Sequence, residues 1–139
     1  MYHFSGQTDG NRHFRVQGHT DTPLNEAGQN QADLVAEALG EIEFHQVYSS
    51  DLSRAKETCQ RILTANVKST TEIIESVLLR EKNFGEAEDL HYLQFAYLTI
   101  IKNQSLPMRY LPKDGEGKEH MQNRAREFIQ VQTLFPSLG

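Results

Sequence analysis

A chain of 139 residues, 37% of them hydrophobic, holds material for one domain with a modest core and excludes a comfortable two. With 14 Lys and Arg against 19 Asp and Glu, the net charge of −5 argues against general nucleic-acid binding, which needs a basic face, yet leaves room for a phosphate site built from a few local arginines. A single cysteine, Cys59, excludes an intrachain disulfide; with no apolar run near the roughly 18 residues of a membrane span and no signal-like start in Met-Tyr-His-Phe-Ser, the expected location is cytoplasmic.

Residues 1–24 are polar and glycine-rich and read as loop. A helix is predicted from Asn25, an N-cap residue followed by Glu26 in the first turn, where the helix dipole favours an anion. Ala32, Val35, Ala36 and Leu39 recur at helical spacing, and Gly40 stands where a C-terminal cap belongs. Phe44 to Ser49 is aromatic and β-branched and predicts a strand, ending in the N-cap cluster Ser49-Ser50-Asp51. Leu52, Ala55, Cys59, Ile62 and Leu63 then form the apolar face of a second helix, with Cys59 as a small core hydrophobe.

Ile73 to Leu79 predicts another strand, and residues 82–88 a loop around Gly85. A helix from about Asp89 to Lys102 carries Leu90, Leu93, Phe95, Tyr97, Leu98 and Ile101. Pro107, Pro112, Gly115 and Gly117 mark a long loop, and a last helix from about Glu119 to Leu134 should turn Met121, Ala125, Phe128 and Ile129 inward. Helices alternating with strands predict an α/β layered fold with a largely parallel sheet. Only two strands are convincing, so the sheet is expected to be incomplete.

Chemistry is carried by ordered blocks rather than by any one motif. Gly6-Gln7-Thr8-Asp9-Gly10-Asn11 is followed by Gln17-Gly18 and by Pro23-Leu24-Asn25-Glu26-Ala27-Gly28. Tyr48 to Thr58 runs Tyr-Ser-Ser-Asp-Leu-Ser-Arg-Ala-Lys-Glu-Thr; Leu79 to Gly85 runs Leu-Arg-Glu-Lys-Asn-Phe-Gly; Asp114-Gly115-Glu116 precedes the last helix. Taken alone, Arg54 reads as a solvated residue on an amphipathic helix or as an anion clamp. Glu81 reads as a surface carboxylate pairing with Arg80 or Lys82, or as an acid. Asn11 and Gly18 read as turn residues or ligand contacts.

In this order the blocks resemble the histidine-phosphatase, or phosphoglycerate-mutase-like, superfamily. The Leu79–Gly85 block is most similar to the TIGAR-type fructose-2,6-bisphosphatases. The resemblance implies a three-layer α/β/α fold over a single domain spanning residues 1–139. It also implies phosphomonoesterase chemistry on small sugar phosphates, in which a neutral imidazole takes the phosphoryl group, arginines steady its oxygens and a carboxylic acid protonates the leaving oxygen. Residue by residue, it makes Arg54 the phosphate-clamping arginine, Glu81 the general acid, Asn11 a polar phosphate contact, and Gln17 with Gly18 the loop beside the substrate. The guanidinium suits its task because a planar fork can hold two phosphate oxygens at once.

The match fails at its centre. Phe4 and Ser5 hold the positions of the family's Arg-His pair, so Ser5 stands in place of the nucleophile. A serine hydroxyl needs a base, and none is evident beside it; His3 is two residues off register. After the last helix the family continues into a strand bearing a second catalytic His-Gly. Nothing comparable follows here, and His120 lies too early and within a helix. The expectation is therefore a catalytically impaired family member, a pseudoenzyme of the kind a splice variant or misassigned gene model produces. Loss of a nucleophile commonly costs about six orders of magnitude in turnover. Two rival expectations stand beside an active phosphatase: an inactive phosphate-binding or interaction module, and an unstable fragment. The six histidines lack paired ligand spacing, so neither metal nor cofactor is expected.

Overall fold

The computed structural model describes residues 5–103 and 111–134. His3, Phe4 and Pro107 lie outside the described residues. In chain order the elements are a short helix α1 (Asp9–Arg12), α2 (Glu26–Leu39), β1 (Val47–Ser49), α3 (Ser53–Ala65), β2 (Ile73–Glu75), α4 (Tyr92–Asn103) and α5 (Lys118–Leu134), with 3₁₀ turns at Val77–Leu79 and Gly85–Ala87.

Helix α2 begins as its sequence predicts: the Asn25 side chain accepts the Gly28 N–H at 2.9 Å, and Gly40 caps the other end. The opening segment is not all loop. Thr8 and Asn11 form a reciprocal capping box at the start of α1. The Ser49-Ser50-Asp51 cluster does not cap α3 directly. Instead Asp21, from the preceding loop, accepts the Ser53 N–H and hydroxyl, both at 2.7 Å, while Asp51 is taken by Arg80.

Both strands are shorter than Phe44–Ser49 and Ile73–Leu79 suggest; β2 stops at Glu75 because Ser76 caps a 3₁₀ turn. β1 and β2 pair in parallel, Val47 to Ile73 through Ser49 to Glu75. Alternation along the strand separates the two faces. Tyr48 meets Phe128 of α5 edge-on, and its hydroxyl bonds Gln132. The opposite face carries Glu75, paired at 2.6 Å with Lys56 of α3. Helix, sheet and helix thus form three layers, with α2 packed on α3 outside. Among the described residues the sheet has two strands, in keeping with an incomplete phosphoglycerate-mutase-like sheet.

Two of the inward assignments on α5 change, and most of the apolar residues of α4 are uncovered. On α5 Phe128 is buried, but Ile129 and Ala125 face outward; on α4 Phe95 is buried, while Leu93, Tyr97 and Ile101 are exposed. Cys59 is half-buried rather than enclosed, and burial pushes its thiol up. A compact cluster of Val16, Ala87 and Phe95, flanked by Phe84 and Leu90, anchors the loop that follows Val16.

Candidate active site: Arg54, Glu81 and the loop at residues 17–20

Backbone geometry builds the site before any side chain does. A Cβ at Gly6 would run into the Gly28 carbonyl, and one at Gly28 into the backbone of Gln7, so the two glycines let the opening segment lie directly on α2. The Gly6 N–H is then taken by Thr58 Oγ1 at 3.1 Å, and the same hydroxyl donates to the Arg54 carbonyl at 2.7 Å. Thr58 is buried one helical turn beyond Arg54. Residue 5 is in this way carried to the end of α3 that presents Arg54.

The second wall is the loop at residues 17–20. Its base is a short pairing of residues 14–16 with 89–92: Val16 N–H to Leu90 O at 3.0 Å, Asp89 N–H to Val16 O at 2.7 Å, and Tyr92 N–H to Phe14 O at 2.7 Å. Glu88 fastens its far side, accepting from His19 N–H at 2.7 Å, Thr20 Oγ1 at 2.7 Å and Phe84 N–H at 3.0 Å. Gly18 sits at φ 57°, where a side chain would be strained, and a Cβ there would also strike Glu88 and the Lys82 carbonyl.

Arg54 is 5% exposed and reaches into this loop. Its Nη1 donates to Thr20 O at 2.9 Å, and Nη2 donates to Gly18 O at 2.7 Å and to Glu81 Oε2 at 3.1 Å. The surface pairing considered for Glu81 with Arg80 or Lys82 is therefore replaced by a pairing with Arg54. Arg80 instead grips Asp51 in a two-point ion pair and holds the Asp51 carboxyl below its usual range.

Glu81 is placed through its backbone. Its carbonyl accepts from His19 Nε2 at 3.0 Å and from Arg124 Nη2 at 3.2 Å. Arg124, on α5, also donates to the carbonyls of Leu78 and Arg80 and makes a two-point pair with Glu116 at 2.6 and 2.7 Å. Glu116 in turn accepts the Asn83 N–H at 2.9 Å. Burial pushes the Glu116 carboxyl up, but the Arg124 guanidinium and the Asn83 amide outweigh it, so the group titrates below its ordinary range.

The structure thus brings Arg54, Glu81, Gly18 and the Gly6 segment together. Gln17 serves one step back: its Oε1 accepts from the buried Thr8 hydroxyl at 2.7 Å. Asn11 is committed on its oxygen, which accepts the Thr8 N–H at 3.0 Å. Ser5 is exposed, and its hydroxyl donates at 3.5 Å to the Gly6 carbonyl, with no hydrogen bond to an imidazole or carboxylate among the described residues. No three His, Cys, Asp or Glu side chains gather to hold a metal ion among the described residues.

Sequence reasoning passed over Thr58, Glu88, Asp21 and Arg124. Only Thr58 left a local signal, at four residues from Arg54 on the same helix face. Glu88 and Arg124 act on segments far along the chain.

The chain has relatives among curated proteins and among solved structures. The chain is 35% identical over 127 residues to a Xenopus tropicalis fructose-2,6-bisphosphatase TIGAR, covering 90% of this chain and 46% of that protein. It is 43% identical over 132 residues to the Arabidopsis thaliana phosphoglycerate mutase-like protein 4, covering 90% and 56%. Among solved structures, a Bacillus anthracis phosphoglycerate mutase superposes with a TM-score of 0.84 at 26% identity, covering 94% of this chain and 66% of that one. The chain spans about half the length of the curated relatives it matches. With residues 5–133 matching the family model as well, this chain belongs to the histidine phosphatase superfamily, branch 1.

Proposed function

We propose that residues 1–139 act as a single histidine-phosphatase-type domain that binds a small phosphorylated metabolite, with Ser5 at the nucleophile position, and does not turn it over. The observation that carries this reading is the convergence of Arg54 and Glu81 on the Gly18–Thr20 loop beside the Gly6 segment. A buried guanidinium at a helix start, faced by a carboxyl group and a loop of fixed backbone, is the arrangement that grips a phosphate and protonates its leaving oxygen. The names of the relatives favour a sugar phosphate such as fructose 2,6-bisphosphate, and the lone cysteine suits a cytoplasmic setting.

Turnover needs more than a grip. An attacking group must be deprotonated or neutral and nucleophilic, and the Ser5 hydroxyl has no base bonded to it among the described residues. Transition-state stabilisation by Arg54 cannot replace the missing covalent step, whose loss costs about six orders of magnitude.

Incubating the full chain with fructose 2,6-bisphosphate labelled on the 2-phosphate tests this directly. The expected result is no acid-labile protein label and no phosphate release above the buffer rate. Acid-labile label would overturn the reading, and mapping it to His3 would identify the surrogate nucleophile.

A further inference from the structure

The hydrogen bonds of Arg54 have a consequence for which anions it can take. A guanidinium has five N–H groups and two edges able to bind an oxyanion at two points, Nη1 with Nη2 and Nε with Nη2. Both edges need Nη2. Here both Nη2 hydrogens are committed, one to the Gly18 carbonyl and one to Glu81 Oε2.

An anion that binds at two points on either edge must therefore displace one of these acceptors or share with it. The Gly18 carbonyl belongs to a backbone packed against Glu88 and the Lys82 carbonyl, in a loop that Glu88 fastens through His19 and Thr20. Glu81 can retreat. Its side chain is 52% exposed, while its backbone stays pinned by His19 and Arg124.

We infer that Glu81 determines anion specificity at this site: its carboxylate occupies the seat on Arg54 Nη2 and admits oxyanions that donate a hydrogen bond to it, disfavouring those that cannot. This rests on the phosphate-binding reading above. A monoprotonated phosphate, or a phosphate monoester flanked by a sugar hydroxyl, offers Glu81 an O–H and lets the carboxylate remain hydrogen-bonded beside the bound anion. Sulfate at neutral pH has no proton. It sets two bare anions against one guanidinium and must expel Glu81 into solvent. No bond is made or broken; the only exchange is of hydrogen-bond partners. Arg124 and Arg80 do not supply the missing donor, because Arg124 is engaged by Glu116 and three carbonyls, and Arg80 by Asp51.

The test is titration of the full chain with inorganic phosphate and with sulfate at constant ionic strength and neutral pH, followed by backbone amide shifts of the Gly18–Thr20 loop. The wild-type chain should prefer phosphate by about tenfold or more, the scale of one charge-assisted hydrogen bond. Glu81→Gln should tighten sulfate about tenfold and bring the two affinities within roughly threefold. Glu81→Ala, which leaves the Nη2 hydrogen open, should tighten both anions. A wild-type chain that binds sulfate as well as phosphate overturns the inference, as do variants whose affinities match wild type. If neither wild type nor variants bind either anion, the phosphate-binding reading itself fails.

Discussion

Arg54 does two jobs that pull against each other: it is a scaffold for the Gly18 and Thr20 carbonyls and a positive charge offered to a ligand. Substitution separates them. Arg54→Ala leaves two loop carbonyls without a partner and removes the anion's countercharge, so it should cost stability as well as binding. Arg54→Lys keeps the charge but loses the fork, since an ammonium cannot span two carbonyls and an anion in the same plane. Both variants should lose more than tenfold in phosphate affinity, the loss of a charge-assisted contact of about 1.5–3 kcal/mol. Calorimetric titration checks this, with Arg54→Lys as the variant that separates binding from folding. Equal affinity in Arg54→Lys would reduce Arg54 to a loop fastener. At this scale what was legible is the set Arg54, Glu81 and Gly18, which the fold joins through the Arg54 guanidinium. Their partners were not, because a hydrogen bond between residues 36 apart in sequence, such as Arg54 to Gly18, leaves no periodic trace.

At the scale of elements, α5 and the segment at residues 78–83 are joined by one clasp, Arg124 with Glu116, and the turn before α3 is joined to the same segment by Arg80 with Asp51. Asp51 is held below its usual carboxyl range by hydrogen bonds from Arg80. In Glu116 the upward push of burial is overcome by Arg124 and the Asn83 amide. A carboxyl depressed in the folded state contributes stability above its unfolded value, and that contribution fades as pH falls through the folded value. The unfolded values lie near 3.8 for Asp51 and 4.5 for Glu116. Urea midpoints should therefore hold steady near neutrality and decline as pH falls below about 5. Asp51→Asn and Glu116→Gln should each lower the neutral-pH midpoint and flatten the acid decline. An acid decline as steep in both variants as in wild type would place the titrating groups elsewhere.

Over the whole molecule, the described core is small for the number of helices it serves. Val16, Ala87 and Phe95 make one cluster, and the apolar side chains that α2 buries are small ones, Ala32 and Ala36. Meanwhile Leu93, Tyr97, Ile100 and Ile101 stand exposed along α4, and Ile129, Val131 and Leu134 along α5. Net stability of even well-packed domains is only about 5–15 kcal/mol, so uncovered apolar faces and a sheet of two three-residue strands leave little margin. The purified chain should melt broadly at low temperature and bind a hydrophobic dye such as ANS in the cold. Phosphate should shift that melt upward, since a ligand bound to the folded state stabilises it. A sharp two-state transition without dye binding would show that these faces are covered in solution, by self-association or otherwise.

The sequence by itself determined the order and type of the main elements, because caps and apolar spacing are local properties: the Asn25 side chain caps the start of α2, and the helix ends at Gly40. It also determined family membership, since ordered blocks from Gly6 to Glu116 are a linear record. Tertiary structure alone decided which apolar residues are covered. Helical spacing puts Leu93, Tyr97 and Ile101 on α4 but says nothing of what lies opposite. It alone decided where strands stop, because a 3₁₀ turn capped by Ser76 competes with extension of β2. And it alone decided the partners of charge. Glu81 has basic neighbours on both sides in sequence, yet it pairs with Arg54, 27 residues away, because an extended backbone points successive side chains in different directions and only the folded chain sets what each one meets.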